Sequence, residues 1–298
     1  MHRSRCDILA AVGGIEEWWA SGERAAVRLS DADRAIFVRR MGSGPSMTLL
    51  HAFLSSSYDW ARIAPELARR YALLLPDFLG FGASEKPLEH SYSLQEQADL
   101  VEALWALEGI TSTVVVAHDF AVSVTQELLA RRAEGVLSVD LVAVHLLNGG
   151  VYPHLYRPEP ASMALLDPEQ GPKLAATLTQ ELFALAVKPT FAGGFDPSEE
   201  SADIFQAATR DGGREVASRL ATYINDRAAN SERWVSALEQ TDVPLSFVWG
   251  MLDPVAGADM AEQIRKRCPS AAFVALDNVA HWPALEASKQ VTAALIGA

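Results

Sequence analysis

The chain has 298 residues, 49% hydrophobic and 21% charged, with 25 Lys and Arg against 38 Asp and Glu, a net charge of −13 and a mean hydropathy of +0.07. That is enough sequence for a buried core, in about two domains or one large α/β unit, and the acidic balance argues against a phosphate-binding surface or attachment to an anionic membrane. Cys6 and Cys268 make no disulfide framework and lack metal-ligand spacing, so two free thiols in a reducing compartment are expected.

At the N-terminus, Arg3 and Arg5 precede the apolar residues 8–15, a faint signal-peptide pattern. Gly13-Gly14 interrupts it and Glu16-Glu17-Trp18-Trp19 ends it without a cleavage site, so a cytoplasmic location is expected. No apolar run reaches the roughly 18 residues of a membrane span. Two β-rich runs, 25–29 and 35–40, surround the turn-like Ser30-Asp31-Ala32-Asp33. Apolar runs then alternate with helical patterns: strand 47–51, helix near 60–70, strand 71–77, helix from Ser93 to about Leu107, strand 113–118, helix near 121–132, strand 139–148. Ser93 and Glu96 have capping-box spacing. Continuous β-branched and leucine runs between helices predict a mostly parallel central sheet covered on both faces.

The rhythm stops at Asn148-Gly149-Gly150. From there to about Gln240 the pattern is helical, punctuated by Pro158, Pro160, Pro168, Gly193-Gly194 and Gly212-Gly213, with no strand-like run. It resumes with strand 244–250, helix 258–267, strand 271–276 and a last helix from about Pro283. The predicted organisation is one α/β core in two parts, 1–148 and 241–298, interrupted by a helical cap over 149–240.

Chemistry concentrates at the ends of predicted strands. Val116-Ala117-His118-Asp119-Phe120-Ala121 follows a buried strand and opens a helix, the setting of a nucleophile elbow. Ala117 and Ala121 supply the small neighbours that such a strained turn needs, and its apex is Asp rather than Ser. A carboxylate attacking an acyl group would give an unproductive anhydride. Attack at a saturated carbon gives an ester that activated water can hydrolyse, so epoxides and alkyl halides are the fitting substrates. Asp253 follows the strand 244–250 and His281 the strand 271–276, so nucleophile, acid and base come in the order 119, 253, 281. Loops beyond strand C-termini converge on one crevice, where the three can meet. In Leu50-His51-Ala52-Phe53, again at a strand end, the Phe53 N–H joins that of Phe120 as an oxyanion hole. His51 and His118 are assigned to the structure of their turns.

HAFLSSSYDW (51–60), DFLGFGASEKP (77–87), VVAHDFA (115–121), WGMLDPV (249–255) and NVAHWP (278–283) resemble the α/β-hydrolase family, in its branch of epoxide hydrolases and haloalkane dehalogenases. EEWWASG, LNGGVYP, ATYIND and RWVSAL are similar to the mesoderm-specific transcript subgroup. The resemblance covers nearly the whole chain and implies the α/β-hydrolase fold with a helical cap. It also implies two cap tyrosines that donate to the epoxide oxygen. Tyr223, 30 residues before Asp253 and in a Tyr-x-Asn context, fits one. The other is Tyr152 or Tyr156, with Tyr152 preferred for its closeness to the end of the sixth core strand.

Dehalogenases of this kind release halide with a Trp after the nucleophile and an Asn or second Trp elsewhere. Phe120 and Phe53 stand at two of those places and donate nothing from their side chains. Many also carry the acid after the sixth strand, where this chain has Asn148, and the Arg of a fluoroacetate site is absent beside the nucleophile. Phe120 departs from the His-Asp-Trp-Gly of epoxide hydrolases as well. The reading is hydration of a small apolar epoxide to a vicinal diol, with no metal or organic cofactor and no nucleic-acid or membrane partner. Dehalogenation by the same Asp, a non-catalytic binding protein on the same fold, and a homodimer stay open. Leu155, Met163, Leu182, Phe183 and Phe191 are candidate pocket walls.

Overall fold

The computed structural model describes residues 13–30 and 32–297, so Arg3, Arg5, Cys6 and Asp31 lie outside the described residues. Eight strands form one sheet: β1 (Glu23–Arg28), β2 (Asp33–Gly42), β3 (Ser46–Leu50), β4 (Ala72–Pro76), β5 (Ser112–His118), β6 (Asp140–Leu147), β7 (Leu245–Gly250) and β8 (Ala272–Leu276). Their order is β1-β2-β4-β3-β5-β6-β7-β8; β2 runs antiparallel to β1 and β4, and every pair from β4–β3 onward is parallel. Each strand read from the sequence is present.

The continuous apolar runs arise because both faces of the central strands are covered. In β5, Val115 and Ala117 enter one core cluster while Val114 and Val116 enter the other. Phe247 and Trp249 of β7 likewise face one cluster and Val248 the opposite one. At the sheet edge β8 keeps only Leu276 buried, as an edge strand with one covered face does.

Helix Leu94–Leu107 starts where expected, and Ser93 accepts the Glu96 N–H at 3.2 Å. The reciprocal half of the box is missing, because the Glu96 carboxylate turns to His90 instead. The helix expected near 60–70 is a 3-10 turn, Ser57–Trp60, followed by the short helix Ala64–Leu67. An element not foreseen is the helix Ile15–Ala20, which buries Trp18 and Trp19. Their indole N–H groups donate to Ser57 Oγ at 3.0 Å and Asp77 Oδ2 at 3.2 Å, so the Glu-Glu-Trp-Trp stretch is part of the core packing.

Between β6 and β7 the described chain is helical, through Pro160–Leu165, Gln170–Thr177, Gln180–Val187, Ser198–Thr209, Gly213–Leu220, Tyr223–Ala229 and Ser231–Gln240. Among the described residues no helix is long and apolar enough to cross a membrane.

Candidate active site

The elbow is built by β5 running straight into the helix Phe120–Ala133, with Asp119 at φ 49°, ψ −103° between them. A non-glycine residue in this region is strained, and such strain persists only where the surroundings enforce it. Here Asp119 N–H donates to Asn148 O at 3.1 Å, tying the elbow to the loop after β6. That loop comes close enough only because residue 149 is glycine: a Cβ there would sit 2.8 Å from Asp119 O and 2.6 Å from Val122 Cγ2. The fully buried Ala117 and Ala121 leave the turn room.

Asp253 and His281 meet Asp119 at the C-terminal edge of the sheet. His281 Nδ1 donates to Asp253 Oδ2 at 2.9 Å, and its Nε2 lies 3.8 Å from Asp119 Oδ1. The second distance exceeds hydrogen-bond reach, and Asp119 Oδ1 is buried without a hydrogen-bond partner among the described residues. One oxygen of this carboxylate is therefore uncommitted. The other, Oδ2, accepts the Phe53 N–H at 3.1 Å. Phe120 is the first residue of its helix, so its N–H has no intrahelical acceptor.

The loops holding Phe53 are pinned by two buried carboxylates. Asp59 accepts the Ala52 N–H and the Ser55 hydroxyl, and Asp77 accepts the N–H groups of Ser57 at 2.7 Å and Ala83 at 2.8 Å. His51 bridges Ala52 O and the Phe78 N–H, which fixes one neutral tautomer, and burial lowers its pKa. His118 donates to the His281 carbonyl at 2.7 Å, and burial brings its pKa down to about 4. Both act through the backbone turns they hold.

Charge among these three residues is lopsided. Burial disfavours the His281 cation, but the charge and hydrogen bond of Asp253, with Asp119 and Glu159 behind them, push its pKa up to about 9. Asp253 is buried too, yet the imidazole, the Val255 N–H at 2.8 Å and Asn148 Nδ2 at 2.9 Å hold its carboxyl below the ordinary value. Asn148 is locked in turn, donating to Gly250 O at 3.0 Å and accepting the Gly250 N–H at 2.7 Å. Its place just past a strand end was the available signal for this orienting role.

The tyrosines require a correction. Tyr223 reaches the site, packing its ring 4.8 Å from that of Phe53 and 5.2 Å from that of Phe120. Its hydroxyl is 2.7 Å from the hydroxyl of Tyr156, and both residues line the cavity that contains Asp119. Tyr152 does not join them: its hydroxyl lies 3.9 Å from Cys268 Sγ, and it is not part of the cavity lining. Closeness in sequence to β6 misleads here. The 3-10 turn Pro153–Leu155 reverses the chain, so the residue after it, Tyr156, faces the crevice. The two phenylalanines, which cannot donate, form the aromatic wall against which Tyr223 rests.

An α/β-hydrolase-fold family model matches residues 45–288. The chain belongs to the α/β-hydrolase family. Its relatives include the protein named hydrolase LipZ of Mycobacterium tuberculosis, 36% identical over 92% of this chain and 94% of that one. The mesoderm-specific transcript homolog protein of Homo sapiens is also 36% identical, over 83% of this chain and 76% of its own length. A solved ancestral haloalkane dehalogenase, AncHLD2, superposes with a TM-score of 0.76 at 20% identity, covering 92% of this chain and 97% of that one, which speaks for the fold alone.

The hydrolase has a cavity of about 270 Å³, open on one side, beside Asp119 and His281. Leu182 and Phe183 line it as expected, whereas Leu155, Met163 and Phe191 do not; Phe191 stacks on Trp282 at 5.7 Å. Leu165, Leu174, Leu178 and Ile204 complete an apolar wall drawn from four helices of the insertion. Amphipathic faces of short helices all look alike in sequence, so which residues turn inward was illegible there. Glu159 is the further charged group in this lining, and burial raises its pKa.

Proposed function

We propose that this hydrolase is an epoxide hydrolase working through a covalent ester of Asp119, with residues 149–240 as its cap. One observation carries the reading: two phenol hydroxyls, on Tyr156 and Tyr223, share the cavity with a carboxylate whose Oδ1 is uncommitted. Burial raises both phenol pKa values, Tyr156 to about 12, so both are protonated donors at neutral pH. Protonated donors suit an oxygen that leaves carbon as an alkoxide and stays in the product.

In the first step Asp119 Oδ1 attacks one ring carbon, the C–O bond breaks toward oxygen, and that oxygen takes a proton from the tyrosine pair. The ester has lost the negative charge of Asp119, one of the charges holding the His281 pKa at about 9. The imidazole pKa falls, the proton it carries at rest passes to solvent, and it becomes a base at the point where one is needed; it regains that proton when the Asp119 charge is restored. In the second step His281 Nε2 takes a proton from water, and the hydroxide adds to the ester carbonyl. The oxyanion is received by the Phe53 and Phe120 N–H groups. Collapse expels the diol oxygen, which recovers the proton from His281. The Asp119 carboxyl returns its proton to the phenolate, so the sum is epoxide plus water to diol.

Halide release is less well served. Trp282 lines the cavity, but its indole N–H is engaged by Thr190 Oγ1 at 2.8 Å, and the residues at the usual donor places are phenylalanines. A side-by-side assay of epoxide hydration and halide release on matched substrates tests the reading. Diol without halide is expected. Halide without diol would move the assignment to a dehalogenase, and neither product would make the protein a binder.

A further inference from the structure

Behind the two phenols lies a cation with no counter-ion among the described residues. Arg227, on the helix Tyr223–Ala229, is 1% exposed, and no carboxylate among the described residues is within ion-pairing distance of it. Its Nε donates to Ser123 Oγ at 2.8 Å, on the elbow helix. Nη1 and Nη2 are buried and make no hydrogen bond of good geometry among the described residues, although the Tyr156 hydroxyl is near enough to favour the charged guanidinium. The guanidinium carbon sits 4.2 Å from the centre of the Tyr156 ring and 4.9 Å from that of Tyr223. Gly150 makes the space, since a Cβ there would be 2.4 Å from Nη1. A buried unpaired cation is costly, and stacking on two neutral rings offsets only part of that cost. The groups that share its surroundings are the two phenols and Asp119.

We propose that Arg227 is a positioning residue that clamps Tyr156 and Tyr223 together and supplies the positive charge that stabilises the oxygen released between them. The inference rests on the epoxide reading for the identity of that oxygen, although the clamp itself does not. In the resting enzyme the cation meets neutral rings. As the bond to carbon breaks, negative charge grows on the leaving oxygen and, with proton transfer, on a phenol. The attraction to Arg227 therefore strengthens toward the transition state, which is what accelerates a step. The charge already acts in this sense at rest, opposing the rise that burial imposes on both phenols.

The test separates charge from packing. Fluorotyrosine, whose phenol ionises at lower pH, is placed at position 156 or 223 and titrated by 19F NMR in the wild type, Arg227→Met, Arg227→Lys and Ser123→Ala. Methionine fills similar space without charge. Arg227→Met is expected to move both phenol titrations upward by about one unit, a tenfold change in ionisation. It should also slow single-turnover ester formation roughly ten- to a hundredfold with KM little changed, and leave hydrolysis of the ester untouched. Lysine restores part of both effects, which a purely structural role would not do. Ser123→Ala, which frees Nε but keeps the charge, moves both in the same direction by less, and carries the test should Arg227→Met not fold. A folded Arg227→Met enzyme with unmoved phenol titrations, or with wild-type ester formation, overturns the proposal. If the wild type hydrates no epoxide while the titrations do shift, the epoxide reading fails and the clamp stands.

Discussion

The two halves of this site are built differently. Asp119, Asp253, His281 and Phe53 hang from the ends of β5, β7, β8 and β3, so their positions follow from the hydrogen-bonded register of one sheet. Tyr156, Tyr223 and Arg227 sit on short helices and turns of the insertion, held by ring contacts, the hydrogen bond between the two phenols and one from Arg227 to Ser123. In the proposed mechanism the sheet half performs attack and hydrolysis, and the insertion half receives the leaving oxygen. A rigid scaffold fixes the chemistry common to many substrates, and a separately packed layer adapts it to one class.

That division can be broken first at the nucleophile. Asp119→Asn should lower kcat by about 10⁴-fold or more, with slow recovery as the amide hydrolyses back to the acid. Full immediate activity would remove the sheet half from the chemistry. On the insertion side, Tyr156→Phe and Tyr223→Phe should each slow ester formation by about 10²–10³-fold, the usual size for one lost oxyanion donor. Because each hydroxyl is the other's partner at 2.7 Å, the double variant should lose less than the product of the single losses. Strict additivity in a double-mutant cycle would mean that they do not act as a pair.

Smaller effects sharpen the boundary. Asn148→Ala removes a bond to a buried carboxylate and leaves the Gly250 N–H unpaired, about 1.5–3 kcal/mol, or a roughly 10- to 100-fold loss in ester hydrolysis. The pH dependence also divides the steps. The charges around His281 hold its pKa up at about 9, and in the proposed mechanism ester formation neutralises Asp119 and lowers that pKa. Hydrolysis of preformed ester should rise with pH through a midpoint below 9 and then level off. A midpoint at 9 or above, in single-turnover measurements, would mean that Asp119 does not tune the base. Tyr152→Phe should leave turnover within about twofold, as expected for a change outside the site.

How much the sequence revealed follows the same division. Strand ends are marked by apolar runs, so the places of Asp119, Asp253, His281 and Phe53 at one edge of the sheet were all legible. The insertion offers no such marks. Tyr152 looked apt because it comes soon after β6, yet a three-residue turn sends it to Cys268 and Tyr156 to the crevice. Arg227 carried no signal at all, since its neighbours Asp226 and Asn225 give it the look of a solvated helix face. The helix Ile15–Ala20 hid for the opposite reason: a six-residue helix has too few turns for a periodicity, and its two tryptophans are buried by tertiary contacts with Ser57 and Asp77.

The proposed mechanism requires a covalent ester on Asp119 that needs His281 for its removal. The direct measurement is mass spectrometry of the His281→Gln enzyme after incubation with an epoxide that the wild type converts. The expected result is a mass increment equal to the epoxide, confined to the peptide containing Asp119 and stable over many wild-type turnover times. An unmodified Asp119 peptide under those conditions would contradict it.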